Sequence, residues 1–210
     1  RIRPQEPPHN ADRRVVFEDA RVANPYVMVS YLTPSRQSGA QQDAAALFLL
    51  AEILGGSGQT SVLGETLQIE EGRSLFATAY YSATSLDPSS FTLINMPMPG
   101  TGLAEAEADL HRVIDQFLQD GIDPDQLARI QFQVAASEIY RQDSVESLAR
   151  MYGSALTSGL TVADVEAWPD VVAATTPEDV MEVARRLFGD TRSVTGYLTT
   201  PAPAEEEVTQ

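Results

Sequence analysis

Cysteine is absent from the 210-residue sequence, and lysine is absent too, so all fourteen positive residues are arginine. Without a thiol the chain forms no disulfide, offers zinc no thiolate and has no cysteine nucleophile. Without lysine it has no P-loop ammonium, no Schiff base and no serine–lysine dyad. Histidine is nearly missing: only His9 and His111 occur. Neither H-E-x-x-H nor H-x-x-E-H is present, so no pair of imidazoles can meet one helical turn apart to hold a metal. Long apolar runs are lacking as well. The longest, Ala44 to Ala51, is fenced by Asp43 and Glu52 and falls far short of the roughly 18 residues that a membrane span requires. Positive charge is outweighed by thirty acidic residues, giving a net charge of −16. Such a balance repels phosphate backbones and anionic headgroups, so neither nucleic acid nor a membrane is expected as a partner.

What is present suffices for a core, since 43% of the residues are hydrophobic, and the length fits one large or two small domains. The chain begins with Arg and no basic-then-apolar leader follows, which is the expectation for a piece of something longer. Residues 1–12, with Pro4, Pro7 and Pro8, have the composition of an interdomain linker. Residues 201–210, PAPAEEEVTQ, are expected to form a disordered acidic tail. The folded part is placed at 13–200.

Periodicity predicts strands over Arg14–Glu18 and Pro25–Leu32, rich in Val and Tyr. A helix apolar nearly all round follows over Asp43–Leu54 and stops at Gly55–Gly56. A more polar helix is expected from about Ser61 to Glu71, closed by Gly72. Strands Leu75–Thr84 and Phe91–Met96 face each other across an Asp87–Pro88 turn, with Leu75, Ala77, Ala79 and Tyr81 on one face. Tyr80 and Tyr81 fall on opposite faces, one in the core and one exposed. Amphipathic spacing then gives a helix ending at Gly121, and Asp123-Pro124 opens the next with Gln126 in the third position of a capping box. Asp143 with Glu146, Thr161 with Asp164, and Thr176 with Asp179 repeat that grammar before three more helices. A last strand, Ser193–Leu198, returns to the sheet. The order describes an α+β fold: a two-layer sandwich with a mixed, mostly antiparallel sheet and helices on one face.

The chemistry-bearing motifs are few. His111 with Asp115 reads as a helix-surface pair. Gly56-Ser57-Gly58 is not the G-x-S-x-G elbow, and Gly55 to Ser61 follows a helix, not the strand that a dinucleotide loop requires. A glycine-rich loop can let an extended peptide approach its backbone, or it can be a plain connection between helices. Acidic neighbours such as Glu70-Glu71 point to different faces and read as solvated charge. No catalytic residue and no metal ligand is assigned.

Taken together, the entry RIRPQEPP, the strand NPYVMVSYLTP, the stretch AALFLLAEILGGSGQTSVLGETL, the strand ATAYYS and the closing LTSGLTVADVEAWPDVVAATTPEDVMEVARRLF resemble the C-terminal half-domain of the insulinase/pitrilysin zinc peptidases, the inverzincins. The resemblance implies a half-domain of the mitochondrial-processing-peptidase type, metal-free itself. Its partner is a zinc-bearing N-terminal half-domain or homologous subunit, and the two close over a peptide substrate. It implies no cofactor in this chain, zinc in the companion half, and a periplasmic location as in bacterial relatives. Many active members carry an Arg and, seven residues on, a Tyr that reach the peptide; Gln68 and Leu75 stand at those positions. The implied substrate contacts are Gly55, Gly56, Ser57, Gly58 and Gln68. Replacing both Gly56 and Gly58 by Val is expected to leave stability nearly unchanged. The alternative is a structural subunit without proteolysis, like the respiratory core proteins that resemble this family.

Overall fold

Valine and tyrosine at every second position set the sheet. In β2 (Tyr26–Thr33) the side chains of Val27, Val29 and Tyr31 are buried, and Met28, Ser30 and Leu32 between them are only half-buried. The computed structural model describes residues 10–56, 58–190 and 192–201. Most of the expected linker, His9, Ser57 and the tail beyond Pro201 lie outside those residues. The described strands also include β1 (Arg13–Glu18), β3 (Ser74–Tyr81), β4 (Ser89–Pro97) and β5 (Ser193–Thr199), and they form one sheet in the order β1-β5-β2-β4-β3. Only the β1–β5 pairing is parallel. The last strand therefore enters between the first two.

Helices cover one face. The buried side of the sheet, carrying Val29, Leu93 and Ala79, shares a continuous core with α1 (Gln42–Ala51), α2 (Leu103–Asp120), α3 (Pro124–Gln142) and α6 (Pro177–Asp190). α1 is buried on nearly every side, as its run of Ala and Leu dictates. Phe188 of α6 meets the rings of Tyr31 and Phe91 edge-on at 5.4 and 5.9 Å. Asn95 is buried among these apolar groups but fully engaged: it donates to Ala106 O at 3.0 Å and accepts from Ser74 Oγ at 2.7 Å. That pair fixes α2 on the sheet. A second small cluster, Ala155, Leu160 and Val165, joins α4 (Val145–Thr157) to α5 (Val162–Ala174).

Four local details depart from the sequence expectations. A bulge between Ser74 and Phe76 shifts the register of β3 against β4. Ser74 thereby takes the inward position and Leu75 turns out to solvent, 44% exposed, away from Ala77, Ala79 and Tyr81. At the start of α3, Asp123 accepts from Asp125 N at 2.9 Å with no capping box formed, and Gln126 Nε2 donates to Thr60 O. α4 is capped by Ser144, which accepts from Ser147 N, while Asp143 ends α3. His111 approaches Glu107, one turn earlier, at 4.0 Å, in place of Asp115. The Thr161–Asp164 and Thr176–Asp179 caps form reciprocally as expected, and Tyr81 is buried while Tyr80 is 47% exposed.

Candidate functional site: the glycine loop and the edge strand

Small residues recur at every third position from Gly55 through Gly58 and Ser61 to Gly64, and the backbone uses each of them. α1 does not stop at a left-handed glycine. It widens into a π-helical turn over Glu52–Gly56, a 3-10 turn over Gly58–Thr60 follows, and a second π-helical segment spans Gly64–Glu70. Gly55 is pressed onto β3, where a Cβ would lie 1.8 Å from Ala79 N. Thr78 Oγ1 donates to Gly55 O at 3.0 Å across the same junction. Gly64 meets Gly58 O equally closely, 1.8 Å from where its Cβ would be. Ser61, fully buried, donates from Oγ to Gly58 O at 2.6 Å and accepts from Gly64 N. Gln126 of α3 then donates to Thr60 O at 3.1 Å. The loop is thus tied to β3, to itself and to α3.

Within this frame the expected contact residues separate. Gly56 and Gly58 are exposed, Gly55 is buried against the strand, and Ser57 lies outside the described residues. Gly58 has φ +56, a conformation that L side chains adopt at a cost. The space beside Gly56 is filled by the flexible Glu52 carboxylate, which would lie 2.1 Å from an added Cβ. Burial raises the pKa of that carboxyl. Gln68 is half-buried and reaches Ala77 O of β3 over a long 3.4 Å. Leu75, turned out by the bulge, lies on that strand toward its N-terminal end. Ser61, Gly64 and Gln126 were not identified from the sequence, although the three-residue spacing of small residues is a signal for the first two.

Nothing in this site holds a metal. Among the described residues no group of three or more His, Cys, Asp or Glu converges on one point, and His111 has only Glu107 beside it. The donor set does not fit zinc.

The described residues form a helix-covered sheet with a glycine-rich segment packed against its edge strand β3. The family described as "Peptidase M16 inactive domain" matches residues 1–134, and the chain belongs to it. No curated protein matches. Solved structures do. A protease from Helicobacter pylori is 21% identical, with a TM-score of 0.84 over 94% of this chain and 46% of that one. The peptidase M16 inactive domain from Pseudomonas fluorescens is 17% identical, with a TM-score of 0.76 over 95% and 45%. The periplasmic protease PqqL from Escherichia coli is 18% identical, with a TM-score of 0.70 over 92% and 21%. At these identities the likeness is one of fold. The chain spans less than half the length of the first two.

Proposed function

We propose that this chain is the non-catalytic half of a zinc metalloendopeptidase, closing a substrate chamber whose metal is held by a companion half and touching extended peptide through Gly56, Gly58 and Gln68. The observation that carries the reading is the glycine loop itself: a family of inactive peptidase domains, and a loop immobilised at Gly55, Ser61 and Thr60 so that the exposed backbone at Gly56 and Gly58 is presented beside an edge strand. Preorganisation of that kind lowers the cost of holding an extended ligand. Two further features suit a half-molecule. Phe132, Ile139 and Tyr140 of α3 and Val145 of α4 are 68% to 83% exposed, an apolar surface that favours a partner. The uncovered sheet face also shows Val15, Phe17 and Phe76. Gln68 and Leu75, in place of a cation and a phenol, direct the role toward binding and length selection, with little assistance to the chemical step. By likeness to the periplasmic protease PqqL, the periplasm is the proposed location.

The contact is tested with Gly56→Val in the two-half enzyme, since there only the Glu52 side chain has to move. KM is expected to rise more than kcat falls. Kinetics unchanged in a folded variant would remove the loop from the substrate path.

A further inference from the structure

A buried arginine without an ion pair among the described residues lies beside the C-terminal end of β3, where its backbone N–H donates to Ala83 O. Arg36, in the segment between β2 and α1, is 8% exposed. Its Nε donates to Gln41 Oε1 at 2.8 Å and its Nη2 to Asp164 O at 3.0 Å, both neutral acceptors. Its guanidinium carbon sits 4.0 Å from the centroid of the Trp168 ring. Asp164 supplies that carbonyl, while its carboxylate accepts hydrogen bonds from Thr161, Ser38 and Gly39. Glu138 is likewise paired, with Arg141 at 2.7 Å, and Arg150 with Glu146 at 2.8 Å. Arg36 makes no ion pair among the described residues.

The remaining nitrogen is open. Nη1 of Arg36 has no hydrogen bond, yet the one sealed side-chain polar atom without a partner among the described residues is Thr33 Oγ1. Arg36 and Trp168 line a cavity of about 620 Å³ together with Phe48, Met151, Glu138, Arg141 and Arg150. Burial works against the charge of this guanidinium, and the nearby Asp164 and Glu138 carboxylates offset that only in part. A planar fork with a free edge, backed by an indole in a cavity whose lining mixes apolar and charged side chains, is matched to a carboxylate on an apolar stem. In a chain of net charge −16 an anion gains nothing from the general field, so attraction has to be local.

We propose that this cavity is a binding site for the carboxylate of a peptide, with Arg36 as its anchor and Phe48, Met151 and Trp168 taking the adjoining side chain. The proposal does not depend on the chamber reading. Trp168 is the sole tryptophan, so its fluorescence reports on this cavity alone. The 210-residue chain is titrated with N-acetyl-alanyl-leucine as the free acid, with its amide, and with N-acetyl-alanyl-glutamic acid amide. A saturable change with one or both carboxylates, at least about tenfold weaker with the neutral amide, supports the site; the stronger of the two acids tells a terminal from a side-chain carboxylate. Arg36→Met is expected to abolish the difference between acid and amide. Should that variant not fold, Ser154→Phe, at an exposed position lining the cavity, is expected to weaken the acid by a similar factor. An equal response to acid and amide, no saturable response to any of the three, or unaltered binding in folded variants overturns the proposal.

Discussion

Single residues carry opposite burdens in the same loop. Gly55 and Gly56 are adjacent, yet an added Cβ meets strand backbone at Gly55 and a movable carboxylate at Gly56. Gly55→Ala is expected to lower stability by about 1–3 kcal/mol or more because the backbone of β3 cannot give way, whereas Gly56→Ala should stay within about 0.5 kcal/mol. Thermal melts of the two variants check this, and equal losses would contradict it. The joint replacement of Gly56 and Gly58 by Val is not the neutral change that composition suggests, because Gly58 has φ +56 and a β-branched residue is strained there. Glu107 gives a second test. Burial opposes its ionisation, but hydrogen bonds from Tyr197, Arg14 and Thr195 outweigh that and hold its pKa below the usual carboxylate range. A depressed folded pKa means stabilisation that is present above the unfolded pKa and lost as pH falls through the folded one. Glu107→Gln should therefore cost about 1–3 kcal/mol at neutral pH and converge on the parent in acid. Melting temperatures followed from pH 7 down to about pH 3 read the convergence; parallel curves would count against it.

At the level of elements, punctuation was legible and pairing was not. Every strand and helix boundary marked by Gly, Pro or a capping residue falls within a few positions of where the structure has it, because caps and turns are local physics. The capping of α4 shows the limit of that grammar: Asp143 and Ser144 are both good caps, and only the backbone decides that Ser144 accepts from Ser147 N. Ser144→Ala is expected to cost about 1 kcal/mol and Asp143→Ala much less, a difference that chemical denaturation resolves; the reverse order would restore the sequence assignment. The bulge that turns Leu75 outward and the insertion of β5 between β1 and β2 depend on partners far away in the chain. So does the close approach of Gly55 to β3, which falls within the π-helical turn that ends α1.

For the whole molecule, the sequence carried the fold class and the family, because the order of elements and the glycine loop are linear features. The Arg36 cavity was not readable: its walls come from segments as far apart as Arg36 and Trp168, joined by a backbone hydrogen-bond acceptor, Asp164 O, that any residue could supply. Gly55, Gly56, Ser57, Gly58 and Gln68 were grouped from the sequence, and the burial of Gly55 against β3 beside the exposed Gly56 and Gly58 was not readable there. What the molecule is proposed to do rests on being one wall of a two-walled chamber. The most direct test is to titrate a homologous half bearing H-x-x-E-H with this chain while following cleavage of a fluorogenic peptide, with complex formation monitored in the same samples. A second wall holds the peptide extended and away from water, so activity is expected to rise and saturate at one equivalent, chiefly through a lower KM. A flat response in samples where the complex has formed would contradict the account.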